Sequence, residues 1–398
     1  LPPPGPPRSL TKPESLGKLV EYITQMPTED DSESRRFKFP FVASEVLSCD
    51  MLAVRDAVFA SPALISQLFS ILKQPAPLPP VLAGYVCKVI TTLQKSSPPA
   101  FRFFFEHDDG LSVSALLPQL LKHLGSDAVL QLLVSLCVGE PAPTEPGMPA
   151  SAASSREELA ATSWLPHDVL IPLVLDALES DDPELASNAS QLFCCLLVAS
   201  TEPPLCLEEG EAGRVRCAAL VSACLGKDVS SPPNLSALEV VLQLLCRLRE
   251  QASPSPCAAH LLDAIGDKID FFFCALAAPA PLPARIARFL PADGSACRPR
   301  GHQRCKLLLL MEEGFRSVRP SIVEPLLQLG LFDVVLDLLL SPHTCNAVHM
   351  RTAAILECAI SSTSDLAAPI RTALITHSKL PARLLALVKS AAKSAAPP

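Results

Sequence analysis

Glycine, aromatic residues and net positive charge are all scarce in this chain. Its 398 residues hold 15 glycines, one tryptophan and two tyrosines, and aromatics make up only 5%. With so little glycine and no sustained period-2 alternation, there is little from which to build a sheet. The formal charge of −8 argues against nucleic acid as a main partner, because neutralising phosphates needs a basic face. No window approaches an uninterrupted apolar run of transmembrane length, and no signal peptide opens the sequence, so no membrane association is expected. The opening LPPPGPPRSL lacks a methionine; the sequence is read as a fragment or processed form whose true start lies upstream.

The motifs of catalysis are missing too. There is no GxGxxG or P-loop, no HExxH, no GxSxG and no kinase signature. Gly266-Asp267 in LLDAIGDKIDFFF has the look of half a phosphoesterase metal motif without its Asp-Arg-Gly; a helical Gly-Asp is the simpler reading. His343 and His349 are six apart, a poor spacing for a metal pair on one helix. His107-Asp108-Asp109 reads as a solvated loop. Asn188-Ala189-Ser190 and Asn234-Leu235-Ser236 match the glycosylation sequon but, without a secretory signal, carry no such meaning. Neither catalysis nor a cofactor or metal is expected. The 15 cysteines form no CxxC pair. Cys87, Cys137, Cys194, Cys195, Cys246 and Cys358 sit in apolar stripes, as reduced, buried thiols do. The expected compartment is the cytoplasm, with the nucleus second.

What is present is leucine, alanine and valine in helical periodicity. The stretch from His167 to Ser200 reads helix, turn, helix. Val169, Leu170, Leu173, Val174, Ala177 and Leu178 share one face of a 3.6-period helix. Ser180-Asp181-Asp182-Pro183 breaks it, with Asp182 placed to cap the next helix and Pro183 tolerated in its first turn. Leu185, Ala189, Leu192, Phe193 and Leu196 form the second stripe. Two such helices cannot bury both stripes alone, which is the logic of a helical solenoid. The pattern Pro172, Leu175, Leu178, Ser180, Asp181 recurs as Pro118, Leu121, Leu124, Ser126, Asp127, and more loosely as Asp333, Leu336, Leu339, Ser341, Pro342. The expected class is all-α, a right-handed α-α superhelix of HEAT/armadillo-like repeats.

In order, residues 1–13 read as a disordered Pro-rich leader and 14–396 as one repeat domain. Its loops near 139–165 and 277–300 are Pro/Ala-rich and expected to be disordered. Helices are expected at 14–26, 62–73, 79–95, 111–124 and 127–138, as the pair between His167 and Ser200, and at 213–225, 234–251 and 258–276. Further ones follow at 301–317, 320–328, 331–341, 345–362, 366–376 and 379–394. Phe37-Lys38-Phe39-Pro40 is expected to be extended, because the residue before proline is pushed out of the helical region, with a helix starting at Ser44-Glu45. PAFRFFFEH, 99–107, is expected to be buried on more than one side. The 41 prolines are read as loop residues and helix starts.

Two features stand out as contact candidates. Arg35, Arg36 and Lys38 form a small basic cluster on an acidic chain; a solvated charge run is the competing reading. Asn188 falls at the edge of a buried stripe, though asparagine is a mediocre helix former. It either bonds a backbone group of the adjoining repeat or faces a partner.

The segment carrying that cluster, RRFKFPFVASEVLSCD at 35–50, resembles a hallmark of the SAPS-domain family. These are regulatory subunits of phosphatase-6-type serine/threonine phosphatases, with a (Y/F)K(Y/F)P..(S/A).E(I/L/V)L(S/T).D segment. PPVLAGYVCKVITTL at 79–93, LLKHLGSDAVLQLLVSLC at 120–137, ELASNASQLFCCLL at 184–197 and CNAVHMR at 345–351 follow in the family's order. Thr344 stands where the family has a tryptophan. The resemblance implies a non-catalytic scaffold that binds a type-2A-like, phosphatase-6-type catalytic subunit and directs its substrate choice, with an ankyrin-repeat subunit as a further partner. Besides the basic cluster, its partner-contact candidates are Glu45, Asp50, Asn188, Gln191, Asn346 and His349. A generic armadillo or HEAT adaptor in transport or cytoskeletal assembly would share the fold but has no reason to carry the 35–50 segment.

Overall fold

The computed structural model describes residues 10–49, 51–107, 112–138, 167–199, 210–225, 234–249, 256–277, 302–340 and 345–394. The expected loops at 139–165 and 277–300 and the leader lie, almost entirely, outside them. Every regular element among the described residues is helical, and none of those helices is by itself long and apolar enough to cross a membrane. The all-α, helical-repeat class is as expected. The chain divides into two compact units, Leu1–Leu205 and Cys206–Pro398.

The first unit stacks its helices in two rows. One row holds α1 (Pro13–Thr24), α4 (Pro62–Phe69, extended by a 3₁₀ turn to Lys73), α7 (Val113–Lys122) and α9 (His167–Leu178). The other holds α2 (Phe39–Leu47), α5 (Pro80–Ser96), α8 (Asp127–Val138) and α10 (Pro183–Ala199). The short α3 (Leu52–Phe59) and α6 (Pro98–His107) are the connectors. Leucine-rich stripes fill the space between the rows; Leu117, Leu120, Leu133, Leu192 and Phe193 are fully buried. Each stripe buries area worth about 25 cal/mol per Å² only because a neighbouring repeat covers it.

Polar side chains lock successive repeats at the ends of first-row helices. Gln74 donates to the Thr24 carbonyl at 3.2 Å, the His123 Nε2 lies 2.9 Å from the Leu72 carbonyl, and Asn188 donates to the Leu124 carbonyl at 2.8 Å. Carbonyls at a helix C-terminus have no intrahelical partner. Here the next repeat supplies one each time. Between α5 and α8, Gln94 and Ser135 exchange two bonds, of 3.1 and 2.9 Å.

In the second unit α12 (Leu235–Arg249), α15 (His302–Ser317) and α18 (Asn346–Ser361) pack in one row. Against them lie α11 (Glu211–Ala223), α13 (Pro256–Gly266), α14 (Ile269–Ala277), α16 (Pro320–Gln328) and α17 (Leu331–Leu340). The unit ends with α19 (Ala367–Thr372), a π-turn at Ala373–His377 and α20 (Leu380–Ser394).

Four expectations are corrected. The segment before Pro40 is helical: a π-turn at Ser34–Lys38 runs straight into α2, and Phe39 has φ −66° and ψ −43°. The wide turn, with Phe39 N–H bonded to the Ser34 carbonyl, makes room for the proline ring, and Pro40 at the second position of α2 loses no needed donor. Ser44-Glu45 therefore lies inside that helix. The single helix expected at 258–276 is two, turning at residues 267–268. There α13 meets α16 so closely that a Cβ on Gly266 would stand 3.1 Å from the Ser321 carbonyl oxygen. In PAFRFFFEH, Phe101 and Phe104 are buried at i and i+3, but Phe103 points to solvent. Finally, Pro118, Pro172 and Pro325 sit inside helices, each at the sixth residue. Pro118 and Pro172 are on the exposed side, where water can take the freed carbonyl.

The three copies of the Pro/Leu/Ser-Asp pattern begin on α7, α9 and α17. Asp182 caps α10 as expected, accepting from the backbone N–H groups of Glu184 at 3.0 Å and Leu185 at 3.4 Å. Asp182→Ala should cost about 0.5–2 kcal/mol, read as a lower urea midpoint with an unchanged slope. Twelve of the described cysteines are free thiols. Burial pushes the Cys87 thiol up to about 12, so it stays protonated and unreactive. Cys274 and Cys345 are exposed.

Candidate partner-binding face

The face begins in the π-turn and continues along α2. Pro40, Ala43, Ser44 and Leu47 turn inward. Phe41 and Glu45 then point outward on α2, and Phe37 is exposed in the π-turn before it. Phe37 is 64% exposed and Phe41 53%, with Val42 beside them also exposed. Single exposed apolar residues are ordinary, but two phenylalanines on one turn of helix, beside cations, are a contiguous apolar patch with a charged edge.

The cations divide. Arg35 stacks over the Tyr22 ring at 4.8 Å and points its guanidinium at the Tyr22 and Gln25 carbonyls, 3.5 and 3.3 Å away. It ties the π-turn to the end of α1. Arg36 lies over the Phe37 ring at 5.5 Å and is exposed. Lys38 is exposed and makes no ion pair among the described residues. Glu45 pairs with Lys88 of α5 at 2.5 Å, both half-exposed. Such a surface pair contributes little to stability, but it carries the exposed face from α2 onto α5.

Further along that row, Gln191 is exposed on α10. Asn188, one turn earlier, is 7% exposed, and its amide is spent on Leu124 and on the Asp127 carboxylate at 3.4 Å. Of the two readings of Asn188, the structure takes the bond to the adjoining repeat. Asn346 is exposed at the first residue of α18, and His349 is half-buried on the same helix; both belong to the second unit. Asp50 lies outside the described residues. Among those residues, no three His, Cys, Asp or Glu side chains are grouped to hold a metal ion.

No family model matches the chain. Individual relatives do. It is 24% identical over 381 residues to serine/threonine-protein phosphatase 6 regulatory subunit 3-B of Xenopus laevis, covering 89% of this chain and 42% of that protein. Against regulatory subunit 1 of Mus musculus the identity is 23% over 419 residues, 95% of this chain and 46% of the relative. Regulatory subunit 2 of Homo sapiens gives 26% over 367 residues, 86% and 36%. Along most of its length the chain is thus similar to several phosphatase 6 regulatory subunits, the kind of protein its 35–50 segment resembles. It spans about two fifths of the length of the first of these relatives.

Sequence reasoning placed the cations of this SAPS segment but missed Phe37 and Phe41. Part of the signal was there: taking 39–47 as helix turns Phe41 away from Pro40, Ala43 and Leu47, whereas Phe37 sits in the π-turn before it, where regular helical spacing does not place it. The expectation of an extended backbone before proline hid it.

Proposed function

We propose that this chain is the helical-repeat part of a non-catalytic regulatory subunit. It binds a phosphatase-6-type serine/threonine phosphatase catalytic subunit and directs its substrate choice, acting in the cytoplasm and secondarily in the nucleus. An ankyrin-repeat protein is its third partner. The observation that carries this reading is the similarity spread along nearly the whole chain to proteins named as phosphatase 6 regulatory subunits. The exposed α2 face is our candidate for the catalytic-subunit contact. Two aromatic anchors beside a basic edge match the make-up of binding hot spots.

The direct test mixes the purified chain with the purified catalytic subunit on a size-exclusion column. Co-elution is expected; separate elution at micromolar concentration sinks the proposal, and capture of an unrelated transport or cytoskeletal protein instead would favour the adaptor reading. Phe37→Ala with Phe41→Ala should weaken capture about tenfold or more. Melting should move by less than about 0.5 kcal/mol, as for surface positions. Reversing Arg36 and Lys38 to glutamate should slow association at low salt and leave melting unchanged. Arg35 is left out of that pair because it holds α1. Association kinetics that ignore the charge reversal would remove the basic edge from the interface.

A further inference from the structure

Helices α15 and α18 of the second unit run parallel and in register. Arg351 of α18 reaches Glu312 of α15 at 3.1 Å, and further along both helices the Arg316 side chain bonds Cys358. Partner positions that rise together along two helices exclude an antiparallel pair. Two turns before Glu312, on the same face of α15, stands Cys305. The register carries that position to the start of α18, and the residue there is Cys345, the N-cap. The Cys305 and Cys345 side chains are hydrogen-bonded to each other.

The two sulfurs differ in what can reach them. Cys345 is exposed and Cys305 is half-buried. Cys345 also stands at a helix N-terminus, which favours negative charge. Burial pushes the Cys305 thiol up, and the neighbouring Cys345 adds to that push against the opposing charge of Arg351. An accessible thiol with a shielded thiol beside it is the arrangement of an attacking and a resolving cysteine. Cys137 and Cys195, which interact across α8 and α10, do not have it, because Cys137 is fully enclosed.

We propose that Cys305 and Cys345 are a reversible thiol–disulfide pair, oxidised by a small disulfide such as oxidised glutathione. The Cys345 sulfur, as thiolate, attacks one sulfur of the glutathione disulfide. That S–S bond breaks, and one glutathione leaves and takes up a proton equivalent to the one Cys345 lost. The Cys305 sulfur, its proton given to water, then attacks the Cys345 sulfur of the mixed disulfide, and the second glutathione leaves and is protonated. Two cysteine thiols are oxidised and one glutathione disulfide is reduced to two glutathiones. The new bond ties the start of α15 to the start of α18, and a dithiol reductant reverses it. This site is separate from the α2 face and does not depend on the phosphatase reading.

The test exposes the reduced full chain to glutathione disulfide, blocks the remaining thiols with N-ethylmaleimide and maps the peptides by mass spectrometry without reduction. The Cys305–Cys345 disulfide should form about tenfold faster than any other, because exchange follows access and thiolate character. Cys137 and Cys195 should stay reduced. Cys305→Ser should strand a glutathione adduct on Cys345, and Cys345→Ser should leave Cys305 unmodified over the same time. The oxidised chain should need more urea to unfold, because the link closes the segment 306–344 into a loop in the unfolded state. Dithiothreitol should return it to the curve of the reduced chain. No reaction at Cys345, a glutathione adduct that persists there in the unmutated chain, or disulfides scattered over many cysteines would each overturn the pair. So would a lower urea midpoint after oxidation, the mark of a bond that the native geometry does not fit. The mapping and the urea curve use the unmutated chain, so they decide even where a serine variant folds poorly.

Discussion

Replacing Arg316 and Arg351 together with alanine is expected to cost about 3 kcal/mol of stability. Both arginines serve Glu312, which is 1% exposed in the middle of α15. Arg316 approaches it at 2.6 Å from the next turn, and Arg351 at 3.1 Å from α18. Its neighbour Glu313, also buried, takes Arg249 of α12 at 2.5 Å and Arg316 at 3.2 Å. Two buried carboxylates and three guanidiniums thus join the three stacked helices of the second unit. With Arg316 and Arg351 gone, Glu313 keeps Arg249 while Glu312 is left buried without a cation. Breaking a buried pair in this way costs about 3–5 kcal/mol. The low end is expected here because both guanidiniums are partly exposed, so water can enter where they stood. Adding Glu312→Leu to the double variant should recover most of the loss, since apolar replacement of a buried ion pair is often neutral. Urea denaturation of all three chains checks this. A double variant within about 1 kcal/mol of the parent would show that the network orders the surface without holding the helices together.

Asn188→Ala should cost about 1–3 kcal/mol. The amide spans from α10 to the carbonyl that ends α7 and to Asp127 at the start of α8, so one side chain ties two repeats. Alanine is the better helix former, and any net loss therefore understates the lost bond. Asn188→Asp should be worse than alanine, because it sets a carboxylate against a carbonyl oxygen and a second carboxylate. Below the melting transition, capture of the catalytic subunit should be unchanged by either variant. A stable Asn188→Ala chain that fails to capture would return this residue to the interface.

Much of the fold was legible without coordinates. Helical periodicity in a leucine-rich, glycine-poor chain determines the class, because amphipathic stripes of this kind have no other way to be buried than against each other. Asp182 as a cap, the paired helices around it and the repeat of Pro118 and Pro172 on equivalent first-row helices are local facts, set within a few residues of sequence. The 35–50 segment marked the family for the same reason: it is a contiguous run.

Contacts that join distant parts of the chain were not legible, and tertiary packing alone decided them. Nothing local distinguishes the buried Glu312-Glu313 of α15 from a solvated pair; three helices bring their arginines from positions as far apart as 249 and 351. Glycine suits position 266 because Ser321 stands where a Cβ would press against it. Phe41 faces solvent because the inward positions of α2 are taken by Pro40, Ala43 and Leu47, and Phe37 is exposed in the π-turn that the packing against α1 sets. His123 is buried because its Nε2 reaches the Leu72 carbonyl of the preceding repeat, and its Nδ1 has no hydrogen-bond partner among the described residues. In each case the deciding neighbour lies dozens of residues away or on the opposite face, where periodicity carries no information.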